Sequence, residues 1–344
     1  MKPRLNSIDS LRTISILAVI AIHTTTKTLE AAAYNLSLFP FSIFLNQITR
    51  FAVPLFFVIS GFVLEFNHME KINTFEYFKK RFGRIAVPYV FWSLIYYFFV
   101  YSKNSNNLLQ VLLKGNASYQ LYFIPALCVF YLLFPLLHYI YKFIANRWVL
   151  VFLGAFQIWL LNHDYIIHQF KFADPVRITI LAWFFFLIGM VAAHNKEKIL
   201  AFAYKFKAFL ITATTIAGIF VLWQGVHDYL TDGSWLNFYS QWRPGVFVYT
   251  LLLGVLLFSV FERKKFKLDL LEKLSGLSFF TFFVHVIVLE TFWLQVGVKT
   301  FEMFNVNRLT RGIFDTAFFV VVSIISFGVA FAVHKIPKLY KITG

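Results

Sequence analysis

Arg12 and His23 are the residues of this 344-residue chain whose types and spacing first suggest chemistry. Both lie in one long apolar stretch. Eleven residues of helix turn through about 1,100°, which is ~20° beyond three full turns, so both side chains share a face. Their axial separation is about 16 Å. A cation so placed can hold an anionic group, and an imidazole can accept a proton. Asp9, three residues before Arg12, is within reach of an intrahelical pair. The plainer alternative is a topology-setting Asp9–Arg12 pair and an interfacial, hydrogen-bonded His23. A second group is Lys79-Lys80-Arg81-Phe82-Gly83-Arg84. Arg81 and Arg84 project together from a helix, and two guanidiniums on one face suit bidentate binding of phosphate oxygens. With Lys80 beside them, they form a candidate site for the phosphates of coenzyme A. The same cluster also reads as ordinary basic anchoring of a membrane helix. Pro88 follows one turn later and can re-aim the helix end.

Two more ionisable residues fall inside apolar stretches, where each is costly and therefore a functional candidate. His285 follows Ser278 and Thr281 on one stripe, whose hydroxyls could orient its ring. A catalytic imidazole and a buried histidine bonding a neighbouring helix are both open readings. Glu290 lies about 140° round the helix from His285, so it points to another helix or to an outward cavity. Arg50, before Pro54 and Ser60-Gly61, can bind an outside anion, pair with Glu290, or snorkel outwards. Cys128 reads as a small apolar residue. Trp92, Trp183, Trp242 and Trp293 read as packing or interfacial anchors. No Walker A loop, zinc-protease helix motif or metal-ligand cluster is present. Asn67-His68 opens like the glycerolipid acyltransferase motif NHxxxxD, but Asn73 stands where that motif needs Asp.

The elements that must position these residues follow from composition. The chain is 59% hydrophobic and 14% charged, with 46 Phe. Soluble domains average about 45–50% apolar and about 25% charged. Too few charges remain to coat a globule, so a soluble enzyme, a disordered chain and a disulfide scaffold are excluded. The single Cys128 cannot form an intramolecular disulfide. Ten apolar stretches, near 8–27, 43–66, 82–102, 120–141, 147–163, 176–194, 207–226, 244–261, 276–297 and 312–334, each approach the ~20 residues of a spanning helix. The 147–163 stretch is the shortest. Leu108–Leu113 is apolar but too short to span. The prediction is an all-α polytopic membrane protein, one domain over 1–344, with no internal repeat.

The net charge of +16 sorts by side. Of the basic residues, 21 fall at the N-terminus, the C-terminus and the loops on that side, including Lys2, Arg4, Lys71, Lys79, Lys80, Lys264, Lys265 and Lys267; nine, Lys103 among them, fall on the other side. The positive-inside rule then puts both termini in the cytoplasm. Anchoring against anionic lipid accounts for the pI, and nucleic-acid binding gains no separate support. Lys2, Arg4, an apolar run and Ala31-Ala32-Ala33 imitate a cleavable signal peptide. Arg12 and His23 interrupt that run, which favours a retained first helix.

In order along the chain, these residues resemble the acyltransferase 3 family of ten-helix membrane proteins. The matching stretches are Ile8-Asp9-Ser10-Leu11-Arg12 with His23, Val53-Pro54-Leu55-Phe56-Phe57-Val58-Ile59-Ser60-Gly61-Phe62, and Phe78-Lys79-Lys80-Arg81-Phe82-Gly83-Arg84-Ile85 with Pro88. Tyr122-Phe123-Ile124-Pro125, Phe134-Pro135-Leu136-Leu137 and Ser278 to His285 follow more loosely. The resemblance implies transfer of an acyl group, acetyl first among them, from cytoplasmic acyl-CoA to a hydroxyl of a cell-envelope saccharide. It implies a multi-pass protein of the bacterial plasma membrane with no tightly bound cofactor. Arg81, Arg84 and Lys80 would bind the donor. His23 would act as general base or pass the acyl group on. Arg12 would stabilise anionic charge, and His285 would shape or share the proton path. Glu290 aligns less firmly with a family carboxylate. The extracellular esterase-like domain of some relatives is not seen, so a stand-alone enzyme is expected. A glycan or lipid-linked sugar exporter is the competing expectation, weakened by the missing repeat.

Overall fold

Asparagines punctuate the apolar stretches and start several helices. The computed structural model describes residues 5–31, 40–69, 72–100, 107–167, 174–232, 235–263, 269–304 and 306–336. Lys2, Arg4, Lys71, Lys103, Lys171, Lys264, Lys265, Lys267, Lys338 and Lys341 lie outside them. The helices are α1 (Asn6–Ala31), α2 (Pro40–Ile48), α3 (Ala52–His68), α4 (Thr74–Ile95), α5 (Leu108–Lys114), α6 (Phe123–Tyr139), α7 (Tyr141–Ile144), α8 (Arg147–Ile166) and α9 (Asp174–His194). They continue as α10 (Lys196–Lys205), α11 (Lys207–Asp232), α12 (Trp235–Tyr239), α13 (Pro244–Glu262), α14 (Asp269–Ser275), α15 (Ser278–Phe292), α16 (Val298–Phe304) and α17 (Arg308–His334). Asn73, Asn107, Asn146 and Asn307 cap α4, α5, α8 and α17 by accepting backbone N–H bonds, as N-cap residues do. Gly115 ends α5 with φ 73°, a left-handed turn that suits glycine.

Among the described residues every element is helical, and nine helices are long and apolar enough to cross a membrane. The protein is an all-α, polytopic membrane protein. The expected 120–141 span is the short one: α6 has 17 residues, because Gly115–Tyr122 is occupied by turns. The 147–163 stretch extends to a 20-residue helix. Leu108–Leu113 lies in α5, held to α4 by the Tyr89 hydroxyl donating to the Leu112 carbonyl at 2.5 Å.

α1 runs through the bundle centre, packed against α2, α3, α13, α14, α15 and α17. In its most apolar window 78% of residues are buried, against 22% for α8 at the periphery. The tightest seam joins α3 to α9. A Cβ added to Gly61 would collide with the Phe186 carbonyl, and one added to Gly189 with the Val58 carbonyl. Small residues let backbones meet this way where lipid supplies no hydrophobic force between helices. Aromatic packing completes the core. Phe130 and Phe186 stack at 4.9 Å, and Phe57 meets Phe123 at 4.9 Å and Phe130 at 5.3 Å. Trp92, Trp242 and Trp293 are buried and pack rather than sit at an interface.

Candidate active site

α1 and α15 run side by side and parallel, since Arg12 meets Ser275, His23 meets His285 and Lys27 meets Glu290 in rising order. The shared face of Arg12 and His23 is therefore the face turned to the α14–α15 segment. His285 is fully buried, and its Nδ1 lies 2.8 Å from the Phe282 carbonyl and 3.2 Å from that of Thr281. Two carbonyl partners mean that Nδ1 carries the proton and donates. Nε2 then keeps its lone pair, and it is buried without a hydrogen-bond partner. The expectation that the hydroxyls of Ser278 and Thr281 orient the ring is corrected. Ser278 donates back to the Leu274 carbonyl, and Thr281 acts through its backbone. Tyr96 opens the π-helical turn Tyr96–Val100 and donates to the Phe283 carbonyl at 2.7 Å, tying α15 to the end of α4 beside the histidine.

His23 is half-buried. Its ring lies 5.3 Å from that of His285 and 4.7 Å from Tyr119. It lines a cavity of about 370 Å³ with Lys27, Glu290, Arg50, Gln120 and Tyr122. Lys27, one turn beyond His23, donates to Glu290 at 2.7 Å. Glu290 thus points across to α1, and Arg50 is not its partner. Nor does Arg50 snorkel: it is 3% exposed and donates to the Tyr239 carbonyl at 2.6 Å and to the Asn46 side chain.

The polar wall behind His23 comes from residues with no apolar periodicity to mark them. Asn46 donates to Thr25 Oγ1 at 2.9 Å and to the Ile22 carbonyl at 3.3 Å, beside His23. Gln47 reaches the Phe238 carbonyl at 3.1 Å and accepts from the fully buried Arg243. Gln241 donates to the Tyr122 hydroxyl at 2.6 Å. These bonds stitch α1, α2 and α12 around the cavity. Sequence reasoning missed all but Tyr122, which it noted only as part of a motif.

Arg12 stands apart from this cavity. It donates to Asp9 at 3.2 Å and to Ser275 at 3.3 Å near the start of α1. Arg81 is half-buried and its guanidinium lies 5.9 Å from the Tyr131 ring, while Lys80 and Arg84 are exposed. Tyr131 interacts electrostatically with both Arg81 and Arg12, which places the two cations at one end of the bundle. The predicted residues therefore form two groups: His23 and Glu290 at the cavity, with His285 against the His23 ring, and Arg12 with the basic stretch of α4 at the opposite end.

A further cluster at that basic end was not anticipated. Glu65 of α3 is fully buried and accepts from His194 at 2.6 Å and from His138 at 3.0 Å. Tyr141 stacks on His194 at 4.1 Å. The rule that flags ionisable residues inside apolar stretches would have found Glu65 had it been applied there.

The chain belongs to the acyltransferase 3 family: the model of that family, described as an acyltransferase domain, matches residues 5–335. It is accordingly a multi-pass membrane protein with an acyltransferase domain. Among curated proteins it is similar to the probable poly-beta-1,6-N-acetyl-D-glucosamine export protein of Staphylococcus epidermidis, 24% identical over 304 residues covering 84% of this chain and 82% of the relative. The protein described in the same words from Staphylococcus aureus is 22% identical over 273 residues, covering 74% and 73%. No solved structure matches the chain.

Proposed function

We propose that this protein transfers an acyl group, acetyl first among the candidates, from acyl-CoA to a hydroxyl of a cell-envelope saccharide. The observation that carries the reading is His23 at the cavity wall with the His285 ring 5.3 Å from its own, in a chain of the acyltransferase 3 family. His23 takes the proton of the acceptor hydroxyl, the oxygen attacks the thioester carbonyl, and the C–S bond breaks to release the thiolate. The lone pair on His285 Nε2 offers an acceptor beside the His23 ring and favours the orientation that proton transfer needs. Arg81, with Arg84 and Lys80, binds the donor phosphates at the basic end, and the excess of basic residues there supports a cytoplasmic position for it. Arg12 stands at the basic end, about 16 Å along α1 from His23, a separation that the pantetheine arm of the donor would span. The acceptor enters from the other side.

The test is replacement of His23 by alanine, with mass analysis of envelope glycans in cells carrying either form at equal protein level. Loss of the acyl mass from the glycan is expected; unchanged acylation would remove His23 from the chemistry. The printed descriptions of the staphylococcal relatives favour a second reading, export of a glycan. Proteoliposomes separate the two. An acyltransferase releases free coenzyme A from acyl-CoA in the presence of acceptor, whereas an exporter moves glycan without any donor.

A further inference from the structure

Arg50 is a buried cation with no carboxylate paired to it among the described residues. It sits in the turn Thr49–Phe51 that joins α2 to α3. Among the described residues the buried guanidinium of Arg243, by contrast, lies 3.9 Å from the Asp228 carboxylate. No carboxylate lies within ion-pair distance of Arg50 among the described residues. Its partners are neutral, the Asn46 side chain and the Tyr239 carbonyl, and its Nε is buried with no acceptor. A charge held this way is expensive unless something of opposite sign completes it.

The cavity supplies the place. Arg50 lines it, and so does Gln120, which is 3% exposed. Gln120 accepts from Ser118 at 2.6 Å, while its Nε2 is left without a partner. Both unsatisfied atoms are N–H donors. Lys27 is already paired with Glu290, so it does not compete for an incoming anion. Arg50 and His23 line the same cavity.

We propose that Arg50, with Gln120, binds an anionic oxygen group, a carboxylate or a phosphate, carried by the substrate in this cavity. The group belongs either to an acyl chain that ends in a carboxylate or to a saccharide that bears a phosphate. The inference deepens the acyl-transfer reading and rests on it for the kinetic measurement below, whereas the binding measurement needs no transfer.

The binding measurement is thermal unfolding of the intact protein in detergent with matched probes: monomethyl succinate against dimethyl succinate, and N-acetylglucosamine 1-phosphate against N-acetylglucosamine. At saturating concentration at least one anionic probe raises the melting temperature of the native protein by about 2–4 °C, its neutral partner does not, and R50Q abolishes the rise. Which anion stabilises tells the acyl source from the saccharide source. If neither anion outperforms its neutral partner on the native protein, the proposal fails, and this comparison needs no variant to fold. The kinetic measurement compares transfer from succinyl-CoA and acetyl-CoA to N-acetylglucosamine or its 1-phosphate. R50Q lowers kcat/KM about 10–100-fold for the anionic substrate and leaves the neutral one within about twofold, while R50K keeps part of the preference. Equal losses on anionic and neutral substrates would make Arg50 a structural residue. Absence of transfer alongside anion-specific stabilisation would sink the acyl-transfer reading and keep the anion site.

Discussion

Arg50, in the turn between α2 and α3, and Glu65, near the end of α3, belong to the same apolar stretch, and both are buried. Glu65 has both carboxylate oxygens engaged, by His138 of α6 and His194 of α9. Arg50 has neutral partners and a donor left over, beside a cavity whose neighbouring His285 and Gln120 also hold an unused polar atom. The same chemistry of buried polar groups thus gives opposite outcomes. A cluster whose buried carboxylate is satisfied on both oxygens fastens three helices. A cluster that leaves atoms unsatisfied is stable only because the rest of the fold holds it, and those atoms are available to whatever enters.

The sharpest way to separate the two regions is to remove one group from each. His23→Ala should reduce acyl transfer by about 10²–10⁴-fold, the range of a lost general base, while the melting temperature of the purified protein stays near the native value. Glu65→Ala should do the reverse. Removing one partner of a buried polar cluster costs about 3–5 kcal/mol, read as a lower melting temperature, with transfer per folded molecule unchanged. If Glu65→Ala abolished transfer in folded protein, the distinction between fastening and chemistry would collapse. Arg84→Ala is expected to raise KM for acyl-CoA several-fold at constant kcat, because an exposed arginine contributes through uniform donor binding. The smallest effect should come from Lys27→Met, since a partly exposed ion pair is worth about 0–1 kcal/mol. A change of less than about tenfold in kcat/KM is expected there, and a larger one would move the Lys27–Glu290 pair into the reacting machinery.

Much of this was legible in the sequence, for identifiable reasons. Hydropathy reports membrane helices directly, because hydrocarbon admits few other structures, so the described residues of each expected stretch are mostly helical. The shared face of Arg12 and His23 follows from helical rotation alone. Helical periodicity could not supply the partner across the interface. That His285 meets His23, or that Lys27 meets Glu290, depends on α1 and α15 running parallel in one register, and no local pattern encodes this. Asn46, Gln47 and Gln241 were missed because they are uncharged and sit at helix ends, where polar residues ordinarily mean nothing more than a boundary. Glu65 was missed although its charge inside an apolar stretch was signal enough.

The glycine contact between α3 and α9 has a mechanical corollary. Where each backbone occupies the space of the other's side chain, the two helices have no slack in which to slide. α3 contributes Val53 and Phe56 to the cavity, so that wall behaves as the fixed jaw of a vice. Any extra bulk in a ligand must then be taken up by the other jaw, formed by α1, α15 and the turn that carries Tyr119 and Gln120. Size selection in this protein is accordingly a property of how far that jaw can yield, and it can be altered there without touching α3 or α9.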